Sequence, residues 1–231
     1  YVWDNTVQGV GGKQTGGWIK TTTDPMGRTL IDRQDLFGRT TQHTDLGGHV
    51  FSYSYNTAGW LTQQASSTGQ NISTAYYANG YIKSITDNAL GTVTSYEYDA
   101  NGNRTYEAYS RTVAGVTENL QNAVITYDAL NRVQEIKDLR ADIKYEYDAV
   151  GNRRRVWTYY HDGLSGAMQT QDYWYAYDAM NRFTLTMASL SGSGARATSE
   201  TDSSISVALA LGGDGVQLSY DLAGNRRSTN T

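Results

Sequence analysis

Apolar and aromatic residues alternate with polar ones along most of this chain, and the alternation breaks at recurring corners. Tyr53 and Tyr55 flank Ser54, Tyr96 and Tyr98 flank Glu97, and Tyr145 and Tyr147 flank Glu146. Tyr175 and Tyr177 flank Ala176, and Val216, Leu218 and Tyr220 are spaced by two. A period of two puts each set on one face of a β-sheet and the residues between them on the other. Past the corners the alternation resumes, as in residues 81–86 and 133–137. The pattern predicts strand, tight turn, strand, many times over.

The corners share a sequence. Five are nearly superimposable: Tyr98-Asp99-Ala100-Asn101-Gly102-Asn103-Arg104, Tyr127-Asp128-Ala129-Leu130-Asn131-Arg132, Tyr147-Asp148-Ala149-Val150-Gly151-Asn152-Arg153, Tyr177-Asp178-Ala179-Met180-Asn181-Arg182 and Tyr220-Asp221-Leu222-Ala223-Gly224-Asn225-Arg226. Two lack the Tyr: Asp24-Pro25-Met26-Gly27-Arg28 and Asp35-Leu36-Phe37-Gly38-Arg39. Two are degraded: Tyr55-Asn56-Thr57-Ala58-Gly59-Trp60, and Tyr76-Tyr77-Ala78-Asn79-Gly80-Tyr81, which reads as one residue short.

An Asp at the anchor can accept hydrogen bonds from N–H groups one or two residues on. Three residues after the anchor stands Gly or Asn, the types that tolerate a left-handed backbone. A type I turn followed by such a residue is a common hairpin closure. The Arg that follows can lie across a neighbouring Tyr ring, worth roughly 0.5–1 kcal/mol when exposed. Cross-strand Tyr pairs add roughly 0.2–1 kcal/mol each. Gly38, Gly59 and Gly80 are 21 residues apart, Gly102 follows after 22, and Gly27 precedes Gly38 by 11, about half a period. Later units carry insertions at Ser110–Asn122, His161–Asp172 and Ala188–Gly215. Residues 188–204 are Ser/Gly-rich and predict a flexible excursion that returns through a strand over 205–211.

Composition agrees with an all-β repeat array. There are 19 Tyr against 3 Phe, with 24 Gly and a single Pro. Tyr suits a pleated surface with one wet edge, and Gly supplies turns. The net charge of −4 leaves no basic stripe for nucleic acid. Cysteine is absent, which excludes disulfides and thiolate metal sites. No apolar run approaches the length of a membrane helix. The array fills residues 1–231 and reads as a piece of a longer polypeptide.

Candidate chemistry is sparse. Each corner offers one Asp without the alternating acid spacing of a cation loop, so the carboxylates read as turn caps. His43, His49 and His161 lack a metal-ligand spacing; His43 and His49 fall on two arms of a hairpin around Gly47-Gly48. No Gly-x-Ser-x-Gly elbow occurs. Asp24-Pro25-Met26-Gly27 reads as a turn, because Arg28-Thr29-Leu30 keeps it in the repeat register. Trp3, Trp18, Trp60, Trp157 and Trp174 could stack on sugars or pack in the sheet. Asn71-Ile72-Ser73 and Asn103-Arg104-Thr105 match glycosylation acceptors. No catalytic residue, cofactor or metal site is predicted.

These residues resemble the Rhs, or YD-repeat, family, whose unit runs Tyr-x-Tyr-Asp-x-x-Gly-Arg and then a strand. Tyr145-Glu146-Tyr147-Asp148-Ala149-Val150-Gly151-Asn152-Arg153 matches it with one Asn inserted before the Arg. The resemblance covers nearly the whole chain and is weakest over residues 1–20 and 186–215. It implies tandem antiparallel hairpins forming a curved or spiralling ribbon, a segment of a hollow shell. In that family such shells belong to bacterial polymorphic toxins, insecticidal toxin complexes and teneurins. The implied role is a wall around a toxin or effector domain. The implied partners are that cargo, neighbouring repeats of the same chain and secretion or delivery machinery. The implied location is secreted or at a bacterial cell surface. A hairpin adds roughly 10 Å to a ribbon, so nine repeats give on the order of 90 Å. A wall around a compact domain of about 130 residues needs roughly 140 Å per turn. The chain is therefore expected to be a wall segment and not a closed container. The alternative is an extracellular adhesion or carbohydrate-binding protein of the same repeats.

Overall fold

The structure, a computed structural model, describes residues 1–9, 13–164, 166–191 and 214–230. Eighteen strands and no helix occur among the described residues. The strand expected over 205–211 and residues 192–204 of the expected excursion lie outside them. Residues 188–191 belong to a strand. The chain divides into two compact units, Tyr1–Asp99 with Tyr106–Gln121, and Ala100–Thr105 with Asn122–Thr231.

The first unit is an antiparallel meander. Its strands are β1 (Val2–Asp4), β2 (Gly17–Thr23), β3 (Thr29–Asp35), β4 (Thr40–Thr44), β5 (Val50–Tyr55), β6 (Leu61–Ser66), β7 (Asn71–Tyr76), β8 (Ile82–Asp87) and β9 (Thr92–Tyr98), each paired with the next. Corners at Asp35, Asn56 and Tyr77 close one end of these strands. Those at Asp24, Asp45, Ser66 and Asp87 close the other. Gly27 and Gly38 stand half a period apart because they cap opposite ends of β3.

β10 (Arg104–Val113) and β11 (Val116–Tyr127) contribute to both units. They absorb most of the insertion at 110–122 as longer strand, turning at Ala114 and Gly115, both at positive φ. The second unit continues as a meander from the end of β11 through β12 (Val133–Lys137), β13 (Ala141–Tyr147), β14 (Arg153–His161), β15 (Met168–Tyr177), β16 (Phe183–Ser191), β17 (Asp214–Tyr220) and β18 (Arg226–Asn230).

The strands form because alternation and β-branched or aromatic content favour a pleat. Their registers slip by one residue just before a corner, at Ser54/Tyr55, Ala75/Tyr76, Thr126/Tyr127, Glu146/Tyr147, Ala176/Tyr177 and Ser219/Tyr220. Such a bulge re-aims one side chain, here the Tyr before the anchor.

Sheet built as a meander buries little. In the second unit Ala123, Ile125, Trp174 and Leu185 are buried, together with the polar Arg155, Thr170 and Asp172. In the first unit Val7 and Asp35 are buried.

Candidate functional site

The repeated corner is densely hydrogen-bonded in both units. At Asp24, Asp35, Asp45, Asn56, Ser66, Tyr77, Asp128, Asp148, Asp178 and Asp221 the backbone closes the same way. The Asp128 N–H donates to the Arg132 carbonyl at 2.9 Å, and the Asn131 N–H donates to the Asp128 carbonyl at 3.0 Å. The anchor side chain then collects N–H groups two and four residues on, not one or two. Asp128 Oδ1 accepts from Leu130 at 2.9 Å and Arg132 at 3.0 Å. Asp24, Asp35, Asp45, Asp148 and Asp178 repeat both bonds.

The other carboxylate oxygen holds the side chain at the fourth position. Arg28, Arg39, Arg132 and Arg182 donate Nε to their anchors at 2.6–2.8 Å. Asn152 and Asn225 donate Nδ2 to Asp148 and Asp221 at 3.0 and 3.2 Å. The Asn before Arg153 and Arg226 is therefore no insertion. It occupies the fourth position, and the Arg begins the next strand as the fifth residue.

These donors hold the Asp24, Asp45, Asp128, Asp148, Asp178 and Asp221 carboxyls below the ordinary carboxylate value. The main causes are the Arg132 N–H at Asp128, the Arg182 N–H at Asp178 and the Asn225 N–H at Asp221. At Asp148, burial works the other way and the Asn152 bonds outweigh it.

Third-position residues are left-handed. Gly27, Gly38, Gly59, Gly80, Gly102, Gly151 and Gly224 have φ of 75–96°, and Asn131 and Asn181 have φ of 59°. Tyr77 stands where other corners have Asp, with its N–H on the Tyr81 carbonyl and Gly80 back on Tyr77. That corner is full length, correcting the one-residue deficit read from the sequence. Asp45, Ser66 and Asp87 head corners that the repeat pattern did not mark, although a hairpin was expected around Gly47-Gly48. Asp45 lacks the preceding Tyr and carries His49 in place of Arg; Ser66 anchors a corner through its hydroxyl to Gln70. The left-handed Gly48 and Gly69 were their one visible signal.

Successive corners are tied together. At six corners the Tyr before the anchor donates its hydroxyl to the carbonyl five residues after the previous anchor. Tyr55 reaches Thr40, Tyr76 reaches Leu61, Tyr127 reaches Arg104, Tyr147 reaches Val133, Tyr177 reaches Arg153 and Tyr220 reaches Phe183, at 2.7–2.9 Å. At five junctions the fourth-position side chain of one corner covers the Tyr ring of the next. Guanidinium carbons of Arg39, Arg132 and Arg182 lie 4.7, 4.3 and 4.6 Å from the Tyr55, Tyr147 and Tyr220 ring centres. Trp60 on Tyr76 and Tyr81 on Tyr98 fill the same place, at 5.3 and 4.8 Å.

Two further arrangements lie on the second unit's strands. Arg155 donates Nε to Asp172 Oδ1 at 2.7 Å, pairs through Nη2 with Asp172 Oδ2, and approaches Glu146 at 3.4 Å. Its guanidinium lies 4.3 Å from the centre of the buried Trp174 ring. From the sequence Trp174 stands out as a residue that stacks or packs, but neither Arg155 nor Asp172 does. A groove of about 320 Å³ is lined by Glu135, Lys144, Glu146 and Trp157 with Gln134 and Tyr145. Trp157 Nε1 is buried there without a hydrogen-bond partner. Glu135, Lys144 and Trp157 stand in register across β12–β14, so they share a face. Burial pushes Asp142 up, and the Lys144 ammonium helps hold Glu135 down.

His43 pairs with Asp32 at 2.7 Å and His49 with its anchor Asp45 at 3.0 Å, on the two arms of the β4–β5 hairpin. Among the described residues no group of three or more His, Cys, Asp or Glu could hold a metal ion. No helix among them is long and apolar enough to cross a membrane.

The RHS Repeat family profile matches residues 76–112, which span the Tyr77 and Asp99 corners. No curated protein matches the sequence. Among solved structures, TcdB2–TccC3 without the hypervariable C-terminal region aligns with a TM-score of 0.64 and 16% identity, covering 87% of this chain and 10% of that one. TcdB2–TccC3–Cdc42 aligns at 0.60 and 16%, over 88% and 12%. The Photorhabdus luminescens Tc holotoxin pore aligns at 0.58 and 18%, over 88% and 12%. The chain thus spans about a tenth of the length of these chains. Residues 76–112 carry the family's repeat in their sequence, and the same corner recurs on either side of them.

Proposed function

We propose that this chain is a load-bearing stretch of wall in an Rhs-type shell that encloses a toxin or effector domain of a longer, exported polypeptide. One observation carries the reading: every described Tyr-led corner is bonded to the corner before it by a hydroxyl, a stacked side chain or both. That is the bonding of a continuous strip. The anchor carboxylates are occupied by their own turns, which leaves them acting as braces and not as acids or bases. The likeness to TcdB2–TccC3 chains supports the reading, since one of those structures is described by the removal of a hypervariable C-terminal region. The role is mechanical and non-catalytic, and the location is outside the producing cell or at its surface.

Limited trypsin digestion of the longer polypeptide tests this. The cargo should survive while the wall is intact and be cut once residues 122–231 are removed. Equal digestion of the cargo in both forms would refute the enclosure.

A second reading, glycan binding at a surface, is favoured by the groove beside Trp157. The groove sets Lys144 Nζ 5.6 Å from the Trp157 ring centre, with Glu135 and Glu146 beside it, a polar lining that matches the needs of a polyol. A glycan array with hits that Trp157→Ala removes would support it.

A further inference from the structure

The corners differ at two positions, and the differences are correlated between neighbours. Among the Tyr-led corners, a large fourth residue in the corner before goes with Gly at the third position: Arg39 precedes Gly59, Trp60 precedes Gly80, Arg132 precedes Gly151 and Arg182 precedes Gly224. Tyr81 precedes Gly102 in the same order. Where the fourth residue is Asn, the next corner has Asn at its third position: Asn103 precedes Asn131 and Asn152 precedes Asn181.

The geometry gives the reason. A Cβ built on Gly59, Gly80, Gly151 or Gly224 meets Arg39, Trp60, Arg132 or Arg182 at 3.4, 3.0, 3.8 and 3.5 Å. The large side chain, laid on the Tyr ring, fills the space that a longer third-position side chain would need. At the other two junctions Asn103 and Asn152 donate Nδ2 to the Asn131 and Asn181 Oδ1 atoms at 2.8 and 2.9 Å. Both kinds of residue reach the left-handed backbone, so the turn alone does not choose between them. The neighbour does.

We infer that each corner carries a two-state matching surface: a large fourth residue accepts a hairpin with Gly at the third position, and Asn accepts a hairpin with Asn there.

Thermal melting of a double-mutant cycle tests the matching. Asn181→Gly should lower the melting temperature in the native chain and raise it in an Asn152→Arg background. Asn152→Ala, which removes the amide without adding bulk, should make Asn181→Gly nearly neutral. An equal effect of Asn181→Gly in all three backgrounds overturns the inference.

Discussion

At the scale of single residues, the Tyr-Asp pair performs two separable tasks. Asp shapes its own turn, and Tyr ties that turn to the one before. Tyr147→Phe keeps the ring under Arg132 but loses the hydroxyl bond to Val133. A loss of about 1 kcal/mol is expected in denaturant unfolding. Gly151 has φ of 96° and Val150 is 71% exposed. Gly151→Val should therefore melt well below Val150→Ala, because a β-branched residue is strained at positive φ. Acid should act through the anchors. Asp24, Asp45, Asp128, Asp148, Asp178 and Asp221 all have folded values lowered from the ordinary 3.8. Between the folded and unfolded values the unfolded chain binds more protons, so this stability is present above 3.8 and is lost as pH falls through the folded values. Asp142, raised by burial, runs the other way and favours the fold as it protonates. A pH series of melting curves should stay level down to about pH 5 and drop steeply below about pH 4.

At the scale of strands and corners, period-two alternation made the strands legible, and Gly or Asn at the third position made most corners so. The repeat pattern did not mark Asp45 and Ser66 because they lack the Tyr, and their partners His49 and Gln70 do not resemble Arg. The fourth-position Asn looked like an insertion because a sequence shows which residues follow an anchor but not which one its carboxylate holds. Arg155 and Asp172 were illegible for a different reason. A charged residue in a strand reads as the wet face, and only pairing across β14–β15 shows that the two meet beside Trp174. Both are about as buried as the Trp, at 1% and 3% exposure. Leaving either charge alone there is costly, whereas an apolar pair of similar size restores packing without it. Arg155→Met should cost about 3–5 kcal/mol in denaturant unfolding, and Arg155→Met with Asp172→Leu should recover much of that loss. An additive double variant would show that the pair is not coupled.

At the scale of the array, repeats that touch only their neighbours should be removable, provided each new junction is a matched one. Deleting residues 132–181 joins Asn131 to Arg182. The Asp128 corner then carries Arg at its fourth position, faces Gly224, and keeps the Asn103–Asn131 junction behind it. Deleting only residues 132–152 joins Asn131 to Arg153, which sets Arg against Asn181. The shorter deletion retains more chain, including Arg155, Asp172 and Trp174, yet it creates the mismatch. If stability followed the amount of sheet alone, the chain lacking 132–152 would melt higher. Neighbour matching predicts the reverse order, and it predicts that Asn181→Gly raises the melting temperature of the shorter deletant toward that of the longer one. Circular dichroism melts of the three proteins decide between these accounts, because sheet content and junction matching rank them oppositely.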